Sequence, residues 1–70
     1  MDRTAVKSRD IAIVGYNAKT SILEIAFRSG GVYHYSGVSP ETHCELMKAA
    51  STGIFFNENI KDKYACHKVQ

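Results

Sequence analysis

The chain has 70 residues, enough for one domain with a single core and too few for a deep cavity backed by its own supporting layer of side chains. Its 44% hydrophobic and 23% charged content lie outside the disordered range, and a formal charge of +2 permits contact with a polyanion without requiring it. No apolar run approaches the roughly 20 residues of a membrane span, MDRTAVKSRD lacks the apolar stretch of a signal peptide, and Cys44 and Cys66 do not make a disulfide framework, so a reduced, cytoplasmic protein without membrane contact is the expectation.

Met1 to Arg9 is polar and aperiodic and reads as a loose lead-in. Ile11 to Val14 is a short β-rich run ending at Gly15-Tyr16, and Asn17 to Thr20 form a polar turn. From Ser21 to Arg28 the pattern alternates, with Leu23, Ile25 and Phe27 on one face and Glu24, Ala26 and Arg28 on the other, as in a half-buried strand. Ser29-Gly30-Gly31 supplies a hairpin loop, and Val32 to Ser36 a third strand. Ser39-Pro40-Glu41 is a helix start, with Ser39 as N-cap, and the helix is expected to run to about Ala50. Its apolar stripe is Leu46, Met47 and Ala50 with part of His43. After Ser51-Thr52-Gly53 a second helix is expected over Ile54–Lys61, with Phe56, Ile60 and Tyr64 sharing a face and Phe55 pointing sideways or out. Ala65 to Gln70 reads as a frayed tail. The expected fold is therefore α+β: a three-stranded antiparallel meander followed by two helices packed on one face, folded over about residues 9–64.

Several blocks stand in a fixed order: Val14-Gly15-Tyr16, Phe27-x-x-Gly30, Tyr33-His34-Tyr35, Gly37-Val38-Ser39-Pro40, then Ser51-Thr52-Gly53-Ile54-Phe55-Phe56-Asn57 and Tyr64. Together they resemble the KTSC domain family, whose domain occurs at the C-terminus of some lysyl-tRNA synthetases and also as free-standing small proteins of bacteria and mobile elements. The resemblance covers Arg9 to Tyr64. It implies one KTSC-like domain over residues 1–70 and an accessory role in binding RNA or a nucleoprotein.

Candidate contacts follow from residue type. Tyr33 and Tyr35 project from one face of their strand. A three-residue loop at Ser29-Gly30-Gly31 pairs Phe27 with Tyr33 and puts both tyrosines on the apolar face, with their hydroxyls at its rim. A two-residue loop exposes them as a base-stacking platform. In the first register Arg28 and His34 share the outer face, where Arg28 can pair bidentately with phosphate and Lys19 or Arg9 can add charge. Lys61 and Lys63, with His67 and Lys68, make a second basic group. The candidate nucleic-acid contacts are thus Arg28, Tyr33, His34, Tyr35, Lys61 and Lys63. The alternative is a small protein-interaction module, including an inhibitor of a host protein or a nucleoprotein defence complex.

Catalysis is not expected. The His43-Cys44 and Cys66-His67 pairs lack a third orienting group, and adjacent residues on a helix point about 100° apart, which suits neither a triad nor a metal site. No cofactor motif is present, and Asn57 reads as a structural amide.

Overall fold

The computed structural model describes residues 1–70 as β1 (Asp2–Ala5), β2 (Ile11–Asn17), β3 (Ile22–Phe27), β4 (Val32–Ser36), α1 (Pro40–Lys48), α2 (Thr52–Asn59) and β5 (Ala65–Lys68). The strands form one antiparallel sheet in the order β1-β2-β3-β4-β5. The expected meander is β2 to β4, and two helices follow it: α1 starts at Pro40 after its Ser39 cap and stops at Lys48, while α2 begins two residues before the expected Ile54 because Ser51 acts as its N-cap. The sheet, however, has five strands rather than three. The supposed lead-in pairs with β2, Arg3 lying opposite Gly15, and the supposed frayed tail pairs with β4, Cys66 lying opposite Tyr35. Every residue of these two edge strands is exposed, so neither carries the alternation by which a half-buried strand is recognised.

β2 contains a bulge between Ile11 and Ile13. The extra residue lets Ile11 and Val14, three apart, both reach the core, where they are 0% and 1% exposed. A strict alternation would have sent one of them to the outside.

The hairpin between β3 and β4 keeps a three-residue loop but begins it one residue early. The Phe27 N–H donates to the Gly31 carbonyl and the Gly30 N–H to the Phe27 carbonyl, each at 3.0 Å, so the loop is Arg28-Ser29-Gly30. Gly30 and Gly31 both have positive φ, 115° and 67°, which glycine alone adopts freely. Ile25 rather than Phe27 then faces Tyr33, and Leu23 faces Tyr35. The shift is two residues in register, so face parity is preserved and both tyrosines lie on the core side.

Ser39 caps α1 by accepting from the Thr42 N–H at 3.2 Å, and Ser51 caps α2 by accepting from the Ile54 N–H at 3.3 Å. Both helices cover one face of the sheet. Leu46, Phe56 and Ile60 close the core over Ile11, Val14, Leu23, Ile25 and Tyr35, with Val38 from the connection into α1. Phe55 is half-buried against this core instead of pointing out, and Ile54 is the exposed apolar residue of α2. Ala50 is also exposed, outside the apolar stripe that the sequence suggests for it, and so is Cys44.

Candidate functional site

The uncovered face of the sheet has its charges satisfied internally. Glu24, on β3, is 7% exposed. It accepts from Arg3 Nε at 2.5 Å and pairs with His34 Nε2 at 3.0 Å. Arg3, and His34 with it, hold its carboxyl below the usual carboxylate range against the opposing effect of burial. Gly15 lies beneath this cluster: a Cβ there would meet Met1 Sδ at 3.0 Å and Arg3 Cγ at 3.1 Å. The small residue lets the β1 side chains lie across the sheet. His34 is therefore a partner of Glu24, with His67 beside it at 6.2 Å between ring centroids.

Four of the other five candidates gather on the opposite side, where the β3–β4 loop, the β1–β2 connection, α2 and β5 meet. A cleft of about 830 Å³ opens there. Its aromatic lining is an edge-to-face cluster. Phe27 meets Tyr33 at 5.5 Å and Phe56 at 5.7 Å, and Phe56 meets Tyr35 at 5.4 Å. Tyr35 and Phe56 are buried, while Tyr33 and Phe27 are half-exposed. Burial, and after it the neighbouring Cys66 thiol, pushes the Tyr35 phenol well above its ordinary pKa, so it stays neutral and does not oppose an anion.

Around these rings stand Arg9, Arg28, Lys61 and Lys68, with Asp10 as the sole carboxylate in the lining. The cleft thus holds four cations against one anion in a chain whose formal charge is only +2, which leaves the rest of the molecule net negative. None of the four is ion-paired, since both ion pairs of the molecule belong to Glu24. Arg28 is instead anchored by backbone: Nε donates to the Ser8 carbonyl at 2.6 Å, Nη2 to the Val6 carbonyl at 3.0 Å, and its own N–H to the Asp10 carbonyl at 2.8 Å. These bonds fix the guanidinium without neutralising it.

The predicted set is therefore divided. Arg28, Tyr33, Tyr35 and Lys61 converge in the cleft; of the two cations suggested beside Arg28, Arg9 lines it and Lys19 does not, and the group lies away from His34 rather than on the outer face with it. Arg28 and His34 do not share a face: β3 ends at Phe27, so strand alternation stops before Arg28, and the loop turns it towards the β1–β2 connection. Lys63 sits in the turn after α2, its N–H bonded to the Ile60 carbonyl at 3.0 Å, and does not line the cleft. Arg9 and Lys68 lie in the lead-in and the tail, which carry no periodicity from which their place beside the rings can be read. Asn57, read as a structural amide, is exposed and lines the cleft, while Asn59 makes the helix-end bond, donating to the Phe55 carbonyl at 3.2 Å. His43 stacks on Tyr16 at 4.5 Å and 8°, and burial lowers its pKa.

Comparison with known proteins matches this architecture. A KTSC domain protein of Yersinia pestis superposes with a TM-score of 0.95 at 40% identity, covering 99% of this chain and 97% of the other. A protein of Stutzerimonas stutzeri is 38% identical over 64 residues, 91% of this chain and 90% of its own length. A lysine–tRNA ligase of Nostoc punctiforme is 45% identical over 49 residues, which is 70% of this chain but only 9% of the ligase. With the KTSC domain matched over residues 7–64, the chain belongs to the KTSC domain family.

Proposed function

We propose that this domain is a non-catalytic module that binds single-stranded RNA in the cleft between the β3–β4 loop and α2. The observation that carries the reading is the set of four unpaired cations around a partly exposed aromatic floor. Cations of this kind neutralise phosphates and release their counterions. A half-exposed Tyr33 beside Phe27 offers bases a stacking surface, worth about 1–3 kcal/mol per base. Arg28, held by two carbonyls, retains N–H groups on Nη1 for a phosphate or a base. The resemblance to a segment of a lysine–tRNA ligase, a protein named for acting on tRNA, supports RNA as the polymer. His34 and Lys63 have no part in this reading.

Fluorescence anisotropy with short labelled single-stranded RNA tests it. Wild type binds at low salt, and its log affinity falls linearly with log salt concentration. Lys61→Ala with Lys68→Ala weakens binding at least tenfold and reduces the slope by about 1.4, since each phosphate contact on a single strand contributes about 0.7. His34→Ala binds as wild type does. If wild type ignores RNA at low salt, the reading falls, and a protein partner with an acidic surface becomes the alternative for the same cleft.

A further inference from the structure

The cleft does not end at α2. A second groove of about 390 Å³ runs between the β1–β2 connection and the N-terminal half of α2, and it shares Arg9, Asp10 and Asn57 with the first. It adds Lys7 to the cationic lining and contains Ile54, at 60% exposed the barest large apolar side chain of the molecule. Joined at Arg9, the two grooves bring together five of the chain's nine lysines and arginines. The remaining four lie elsewhere, and one of them, Arg3, is already committed to Glu24.

From this continuity we infer that the ligand site is a track for an extended polyanion, a single-stranded RNA segment several nucleotides long, rather than a pocket for one nucleotide. The inference rests on the RNA reading above and specifies the length and path of its ligand. A single nucleotide fills the first groove, where the aromatic rings and Lys61 and Lys68 lie, and leaves Lys7 and Ile54 idle. A longer strand crosses Arg9 and gives the second groove a phosphate for Lys7 and a base for the exposed Ile54. A site of about four nucleotides or slightly more is at the small end of what compact single-strand-binding folds cover.

The test compares a dinucleotide with a hexanucleotide of the same base in anisotropy titrations over a salt series, using wild type and Lys7→Ala. Lys7 is exposed in a connection, so a thermal melt unchanged from wild type confirms that the variant is folded. Wild type is expected to bind the hexanucleotide more than tenfold tighter than the dinucleotide, beyond the gain from having several binding registers. Lys7→Ala should reduce the hexanucleotide's salt slope by about 0.7 and leave the dinucleotide's unchanged. Near-equal affinity for the two lengths, or a hexanucleotide slope untouched by Lys7→Ala, overturns the track while leaving RNA binding in place. Absence of binding to either length at low salt overturns the RNA reading itself.

Discussion

Phe56 is the residue on which core and cleft both depend. It is 3% exposed, and its ring meets Phe27 and Tyr35 edge to face, so its removal leaves a hole beneath the aromatic floor as well as in the core. Truncating a buried phenylalanine costs about 3–5 kcal/mol, comparable to the roughly 3–5 kcal/mol a single core supplies at this length. Phe56→Ala is therefore expected to be largely unfolded at room temperature. Phe27→Ala, at a half-exposed position, should remain folded with a lowered melting point. Thermal denaturation followed by circular dichroism measures both. A Phe56→Ala variant melting within a few degrees of wild type would contradict this core. Both phenylalanines could be identified in the sequence because each sits in a periodic segment. Arg28 was harder to place: its face depends on whether the loop begins at residue 28 or 29, and two consecutive glycines allow either start.

Among the elements, β5 differs from the other strands in how it is attached. β1 to β4 follow one another through short connections, whereas both helices intervene between β4 and β5. β5 is also an edge strand with every residue exposed, so little apolar burial accompanies its pairing. Its hydrogen bonds to β4 should open at a free energy well below that of global unfolding. Native-state amide exchange is expected to show the β4-facing amides of β5 exchanging by local opening while those of β3 wait for global unfolding. Equal protection of the two strands would refute this. The same properties explain what the sequence conceals. The β2–β4 meander and both helices are legible because alternation, glycines, the Ser39-Pro40 start and the spacing of Phe56 and Ile60 are local signals. β1 and β5 owe their form to ladder hydrogen bonds with neighbours already in place, and no pattern within Asp2–Ala5 or Ala65–Lys68 records that. Lys68 reads in the sequence as part of a basic group, but its place beside the aromatic rings depends on the pairing of β5 with β4, and so does the extent of the cleft.

For the molecule as a whole, acid is expected to act in two stages. Burial lowers the His43 pKa from its ordinary 6.5. The folded state thus favours the neutral ring, and the stability this lends is complete above about pH 6.5 and declines as pH falls below it. Glu24, held below 4.5 chiefly by Arg3, contributes stability that persists above that value and is lost as pH falls through its depressed pKa. The urea midpoint should fall first below about pH 6.5 and again below about pH 4.5. His43→Phe should remove much of the first decline and Glu24→Gln much of the second; a midpoint constant from pH 7.5 to 5.5 would contradict the His43 assignment. The uneven placement of charge has a further consequence, for how a partner arrives. The molecule measures 28 × 26 × 23 Å, whereas at physiological ionic strength a charge is felt over only about 8 Å. A polyanion approaching the Glu24 side is beyond the reach of the cleft's field and meets a surface of nearly balanced charge. For a polyanion of the kind proposed, long-range guidance would be confined to dilute salt; otherwise the encounter would be decided at the mouth of the cleft, where orientation on first contact would set the association rate.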